Sequence, residues 1–312
     1  MMSDVFYNIP NEQYHHGEGF EEYLSSTQLK GYAVSPKFAR FMLDNPQVQT
    51  AAMHFGSLFH DCMAAIAIGK TPEEALDTIV TFEPPVNEKT GQPYGATTKA
   101  YKEAYEAFCA TRPEVKPTTK EEKETVAKML HSLLNDCGAT SEQVRKLLKW
   151  GDPEVSILYE TEDGIKVKAR PDLLTRGKII DWKTTTLDDL TEESINRTIL
   201  RYGYHISAAM YQWVAKQVLG EWKDFYLVFV QKQEPYDCIM VNMVNYGYRY
   251  MPDIDMVIPG PGAMEFKRLL DLHTKCVNAN EWPGAETFIP GDKYRIMEIM
   301  PPRYITNKYL DE

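Results

Sequence analysis

The 312-residue chain has no apolar run near the roughly 20 residues that a membrane-spanning helix requires. Phe225 to Val230 and Ala64 to Ile68 are far too short. Between Met1 and Pro10 no basic stretch precedes an apolar one, so no secretory leader is expected. Cysteine is sparse as well. Cys62, Cys109, Cys137, Cys238 and Cys276 are odd in number and never spaced C-x-x-C, which offers neither a disulfide framework nor a zinc or iron–sulfur set. A reducing, cytoplasmic setting is the expectation. No G-x-S-x-G is present, so a hydrolase nucleophile elbow has no support. Gly69-Lys70-Thr71 resembles the end of a phosphate loop, but Ala64 stands five positions before Gly69 and the surroundings read as helix. Positive charge is short overall, with 34 basic side chains against 45 acidic and a formal net charge of −11. Taken alone, that balance speaks against a nucleic-acid binder.

What is present is ordinary globular chain, 43% hydrophobic, with enough length to bury a sizeable core. Ser25-Ser26-Thr27 and Ser35-Pro36 have the chemistry of helix starts. Phe55, Leu58, Phe59, Cys62 and Ile66 recur at helical spacing and predict a helix over His54 to Ile68. Further helices are predicted over Lys99 to Cys109, Lys120 to Asn135 and Ser141 to Trp150, with a Pro- and Gly-rich loop from Glu83 to Gly95. The period changes at Pro153. Val155 to Glu160, Ile165 to Leu174 and Lys178 to Thr184 form a three-strand meander punctuated by Glu162-Asp163-Gly164 and Arg176-Gly177. Helices over Thr191 to Leu200 and Tyr204 to Leu219, strands over Phe225 to Gln231 and Cys238 to Asn245, and a helix from Gly262 to Asn280 complete the pattern, ahead of a Pro-rich tail from Pro283. The order predicts an α/β or α+β fold with one mixed sheet. One domain is expected over 1–312: a mainly helical part (1–150), an αβ core (151–250) and a C-terminal helix and tail (251–312).

Chemistry concentrates between Ile165 and Lys183. Alternation along a strand puts Lys166, Lys168, Arg170 and Asp172 on one face. On the next strand Asp181 and Lys183 share a face that Ile180 and Trp182 oppose. A two-residue turn at Arg176-Gly177 sets Asp172 across from Asp181 and Arg170 across from Lys183. Two carboxylates facing each other across a ladder repel, so a shared proton or a divalent cation must offset them. Hard oxygen ligands suit Mg²⁺ or Mn²⁺, and a lysine beside such an ion can hold an attacking water and neutralise charge on a phosphoryl group. From Lys166 to Lys183, six basic side chains stand against these two acids, a local balance of +4 within an acidic protein. Such a field would gather DNA there and repel it elsewhere. Alternatively, D-x-K on a strand is only a solvated face.

Pro171-Asp172 followed by Asp181-Trp182-Lys183 resembles the PD-(D/E)-x-K nuclease signature. The surroundings are similar to its RecB-like branch and, within that, to the C-terminal nuclease domain of the exonuclease VIII (RecE) family. The likeness covers Ile9 to His15, Ser25 to Lys30, Ser35-Pro36, Phe55 to His60, Pro153 to Ser156, both catalytic strands, Tyr204-His205 and Tyr211. It implies a restriction-endonuclease-like core with N-terminal helical additions. It also implies that Asp172, Asp181, the Trp182 carbonyl and His60 hold the metal, that Lys183 serves the nucleophilic water, and that Glu154 is an acid opening the first strand. His60 could instead be a helix histidine bonded to a neighbour, and Glu154 a solvated edge residue. Many relatives carry Gln-x-x-x-Tyr beside the scissile region. Here Tyr211 is kept and Ser207 replaces the glutamine, within reach of DNA from the same helix face, although core packing is the alternative for Tyr204, Tyr211 and Trp213.

The implied activity is a Mg²⁺-dependent exodeoxyribonuclease, with Mn²⁺ as a substitute, digesting linear duplex DNA 5′ to 3′ from its ends. A ring-shaped homo-oligomer and a single-strand annealing recombinase as partner come with the resemblance. A degenerate DNA-binding module and a site-specific endonuclease on the same core are the alternatives. The lack of a cysteine set argues against relatives that carry an iron–sulfur cluster.

Overall fold

Hydroxyl side chains start most of the helices. Thr50, Thr71, Thr98, Thr119 and Thr191 each accept a hydrogen bond from the backbone N–H three residues on, as Ser35 does from Phe38. In the computed structural model, which describes residues 3–45, 49–112, 117–288 and 299–300, they introduce α3 (Pro36–Asp44), α4 (Ala51–Ala67), α5 (Pro72–Leu76), α6 (Lys99–Ala110), α7 (Lys120–His131) and α9 (Glu192–Arg201). The others are α1 (Asn11–His16), α2 (Ser26–Lys30), α8 (Gly138–Leu148), α10 (Tyr204–Leu219) and α11 (Pro261–Ala279). Thr71, at the end of the rejected phosphate loop, is the cap of α5, and Glu74 returns the bond to its backbone N–H. Most of the Pro-rich tail, including Pro301 to Tyr304, lies outside the described residues.

The strands are β1 (Ser3–Phe6), β2 (Asp152–Pro153), β3 (Ser156–Glu160), β4 (Lys166–Ala169) and β5 (Leu173–Leu174). After them come β6 (Lys178–Thr185), β7 (Asp224–Gln231), β8 (Cys238–Asn242), β9 (Tyr248–Met251) and β10 (Met256–Pro259). The central sheet is mixed, in the order β2-β5-β6-β7-β8, with only β6 and β7 parallel. The fold is thus the α/β class expected, with helices against a mixed sheet. One expectation is corrected: the meander does not lie in a single sheet. Its long second strand breaks at Arg170 to Asp172, leaving β4 in a separate sheet of order β1-β3-β4. Pro171 has no N–H to give a ladder, and the break follows from that. β1 and the β9–β10 hairpin were not signalled by the sequence pattern.

Residues of each central strand divide between two faces as the alternation requires. Leu173, Ile180, Trp182, Val228 and Val230 join Phe55, Leu58, Phe59 and Cys62 of α4 and apolar residues of α7 and α8 in one core. On the opposite face α10 packs on β7, with Tyr211 edge-on to Phe225 and Tyr204 against Phe229. Cys137 and Cys238 form a disulfide, their Cα atoms 6.0 Å apart across 101 residues of sequence. The disulfide corrects the expectation of unpaired cysteines. The partners meet because the helical turn at Ser132–Asp136 packs by β8, with Ser132 Oγ donating to Tyr236 O at 2.7 Å, and no local spacing encodes that.

The chain divides into two compact units, Met1–Ser26 with Val48–Phe266, and Thr27–Gln47 with Lys267–Glu312. In the second, Tyr32 is fully buried and its hydroxyl hydrogen-bonds His273 Nδ1 at 2.7 Å. Trp282 packs beside that tyrosine, and the Arg40 guanidinium lies over the indole. The candidate site belongs entirely to the first unit.

Candidate active site

The register Leu173↔Ile180 and Leu174↔Ile179 is the one that puts Asp172 across from Asp181. Asp172 sits just before β5, where Pro171 has interrupted the ladder, and its Oδ2 accepts the Trp182 backbone N–H at 2.6 Å. Its other oxygen lies 3.2 Å from Nδ1 of His60, carried by α4. One residue beyond Trp182 on β6, the Lys183 ammonium is 2.5 Å from Asp181 Oδ2 and 5.1 Å from the centre of the Tyr204 ring. Three of the five expected catalytic residues thus lie on β6 or just before its neighbour β5, and α4 brings in the fourth.

Glu154 supplies the fifth from a position the sequence describes poorly. It is not an ordinary strand residue: it lies between β2 and β3 with φ +52°, and its N–H donates to Asp172 O at 3.2 Å. That left-handed turn, uncommon for a residue with a side chain, accompanies a carboxylate placed in the site. One donor atom each from His60, Glu154 and Asp172 lie within 4.8 Å of one another, a group among the described residues that could hold a metal ion. Glu154 rather than Asp181 completes this group, while Asp181 stands beside it in ion pair with Lys183.

The electrostatics follow from crowding three carboxylates into a buried space. For Asp172, burial would raise the pKa, but the His60 ring, the Lys183 ammonium and the Trp182 N–H outweigh it and hold the carboxyl below its ordinary value. Asp181 is pushed the other way, first by burial and then by Asp172, with Lys183 only partly compensating. Glu154 is raised to about 7 by burial and by Asp172, against the pull of Arg170. Burial would lower His60, yet the charge and hydrogen bond of Asp172 leave it raised. Burial also opposes the Lys183 charge, and Asp181 and Asp172 overcome it, so Lys183 is a cation at neutral pH. Neutralised or repelled carboxylates at one point are what a divalent cation relieves. The donors are hard oxygens and an imidazole nitrogen, the set suited to Mg²⁺ or Mn²⁺. An octahedral ion with bonds of about 2.1 Å holds adjacent donors about 3.0 Å and opposite donors about 4.2 Å apart, so three donors within 4.8 Å of one another fit such an ion once their side chains draw in around it.

The expected DNA-facing basic row is corrected. Lys168 is buried, and its ammonium donates to the carbonyls of Tyr14 at 2.7 Å and Phe20 at 2.8 Å. Burial pushes its pKa down to about 8, which keeps it mostly charged at neutral pH. Arg170 is buried too; its Nε is 2.7 Å from Glu154 Oε2, and it donates to Ile9 O at 2.6 Å. Break of the strand at Pro171 takes Arg170 out of register with Lys183 and turns it onto Glu154, which it holds in place. Lys166 remains near the surface, paired with Glu22. The N-terminal segment, absent from the alternation argument, covers this face and absorbs its charges.

Lys168→Met is therefore expected to cost about 2–3 kcal/mol of stability by orphaning two buried carbonyls, several degrees in Tm. DNA affinity should be unchanged. Thermal unfolding beside a fluorescence-anisotropy titration with DNA checks both halves.

Ser207 and Tyr211 also point inward. Ser207 is buried with its hydroxyl donating to Ser26 Oγ at 3.3 Å, and Tyr211 hydrogen-bonds Ser26 as well. Burial raises the Tyr211 phenol well above its ordinary value. The face of α10 that carries both residues packs inward, in line with the packing alternative for Tyr211, and the Ser207 hydroxyl is taken up by Ser26. Two participants escaped the sequence pattern: Tyr204 over the Lys183 ammonium, and Arg170 as the partner of Glu154. A signal for Tyr204 existed in the aromatic pair Tyr202–Tyr204 around Gly203. None existed for Arg170.

Comparison with known proteins bears on the family and the fold. A family model described as a PDDEXK-like domain of unknown function (DUF3799) matches residues 25–286. The crystal structure of a "putative exonuclease" from Eubacterium rectale superposes with a TM-score of 0.52 over 88% of each chain, at 16% sequence identity. At that identity the likeness is one of fold. No curated protein matches the sequence.

Proposed function

The chain belongs to the PDDEXK-like family, and from that premise we propose that it is a divalent-metal-dependent deoxyribonuclease acting on the ends of linear duplex DNA. One observation carries the reading: His60, Glu154 and Asp172 bring donor atoms within 4.8 Å of one another, with Asp181 and Lys183 beside them on the neighbouring strand. His60, Glu154 and Asp172 would hold the ion, with Asp181 and the Trp182 carbonyl next to it. When bound, Mg²⁺ or Mn²⁺ supplies charge for the phosphoryl oxygens and acidity for a water. Lys183, kept cationic by Asp181, donates to the attacking water and the transferring phosphoryl group, and so stabilises negative charge as it develops. Asp172 orients the His60 ring through Nδ1 and fixes β6 through the Trp182 N–H. Arg170 holds Glu154 from behind.

The finer parts of the proposal rest on the resemblance to the exonuclease VIII type: Mg²⁺ as the working ion, 5′-to-3′ digestion, a ring-shaped homo-oligomer, and a single-strand annealing recombinase as partner in cytoplasmic DNA recombination. Among the described residues no helix is long and apolar enough to cross a membrane. The description of the Eubacterium rectale protein as a "putative exonuclease" is in keeping with end-directed cutting. Linear and covalently closed circular forms of one plasmid, each incubated with the protein and Mg²⁺, test it. Loss of the linear form alone is the expected result, abolished by EDTA. Cutting of closed circles would instead identify an endonuclease on the same core.

A further inference from the structure

Gly203 separates α9 from α10 and adopts φ +64°, a left-handed turn that a glycine makes without strain. The turn brings the two tyrosines flanking it into a parallel stack, Tyr202 and Tyr204, with ring centres 5.6 Å apart and planes inclined by 22°. The stack has an inner and an outer end. Tyr204 is half-buried, lying over the Lys183 ammonium at 5.1 Å and against Phe229 at 6.3 Å. Tyr202 is 52% exposed, with the exposed Leu200 at the same helix end and the Arg201 guanidinium 5.5 Å from its ring centre. A line of aromatic surface therefore runs from the lysine of the candidate site out to solvent and ends beside a cation on an exposed, flexible side chain. Arg201 also opposes the negative end of the α9 dipole, which would otherwise repel a phosphate.

We propose that Tyr202, backed by Tyr204, is a stacking platform for an unpaired base of the DNA strand cut at this site, with Arg201 as its phosphate contact. The proposal rests on the nuclease reading and adds the state of its substrate: the strand is single-stranded where it enters. Every base has a π-face, so a tyrosine pair grips a strand without reading sequence, as non-specific exonucleolytic digestion requires. A paired base at a duplex terminus has its faces covered by its neighbours. Fraying of the end exposes one, and the platform captures it next to Lys183. The inward-facing Ser207 and Tyr211 leave the strand contacts to another element, and the α9–α10 corner is placed to provide them.

The test uses the full chain and a single-stranded oligonucleotide carrying 2-aminopurine, a base analogue quenched by stacking, with Ca²⁺ in place of Mg²⁺ and oligonucleotide length checked on a gel. Wild type should bind and quench. Tyr202→Ala should bind about tenfold more weakly and lose the quenching, with Tm lowered by a few degrees at most, since the ring is half exposed and its loss removes the stack on Tyr204. Tyr202→Phe should restore both signals. Binding and quenching by Tyr202→Ala equal to wild type, in a protein that still degrades linear DNA, would overturn the platform and leave the nuclease reading intact. If wild type neither binds nor cleaves DNA, both fall.

Discussion

Asp172→Asn is expected to lower DNA cleavage by about 10³-fold or more while leaving the protein folded, since charge on the ligand and not its shape is what holds the metal. The amide keeps an oxygen for the Trp182 N–H, 2.6 Å from the present carboxylate, so β5 and β6 stay joined. It removes the negative charge that faces His60 and that repels Asp181 and Glu154. In the metal-free protein this relief offsets the lost His60 contact, and Tm should stay within a few degrees of wild type. Residual cleavage should rise as the metal concentration is raised, because the defect is one of metal affinity. Circular dichroism melts and cleavage of labelled linear DNA across a Mg²⁺ titration measure the two effects. A variant as active as wild type at every Mg²⁺ concentration would remove Asp172 from the site.

Lys183→Met should be equally damaging by another route. The ammonium sits 2.5 Å from Asp181 and is held charged by Asp181 and Asp172. Its loss removes the cation proposed to serve the attacking water and the developing phosphoryl charge, and a fall of about 10³-fold in the rate is expected. The change leaves the three side chains proposed to hold the ion, His60, Glu154 and Asp172, in place. Raising Mg²⁺ should therefore fail to rescue it, in contrast to Asp172→Asn. The two metal titrations, run side by side, separate the holding of the ion from the chemistry at the phosphate.

The sequence made the catalytic hairpin legible because two local rules suffice there. Alternation set the faces, and the Arg176-Gly177 turn set the register, so Asp172 opposite Asp181 needed no tertiary information. His60 was reachable only through the resemblance, since a helix histidine alone is as easily a packed one. Glu154 was readable as an acid near the first strand, but not as a member of the metal group, because its left-handed φ carries it off the strand path. The basic row misled for a related reason. Lys168 and Arg170 follow the strand pattern, yet the carbonyls of Ile9, Tyr14 and Phe20, more than 140 residues earlier, claim them. Period-2 reasoning gives the face of a residue and not what covers that face. The Cys137–Cys238 pair failed in the same way, through a contact between elements distant in sequence.

The local positive field inferred from composition is accordingly reduced. Within the catalytic segment Lys183 answers Asp181, Arg170 answers Glu154, and Lys166 answers Glu22. With those three cations matched, attraction for phosphate falls to a bound divalent ion and to exposed residues such as Arg176 and Arg201. Cleavage should then depend on metal for substrate binding as well as for chemistry.

Release of acid-soluble nucleotide from linear duplex DNA, by wild type and Asp181→Ala in Mg²⁺, tests the central claim most directly. Asp181 faces Asp172 and anchors Lys183, so the account predicts steady release by wild type and none by the variant. Equal release by the two proteins, or release by wild type that persists in EDTA, would contradict it.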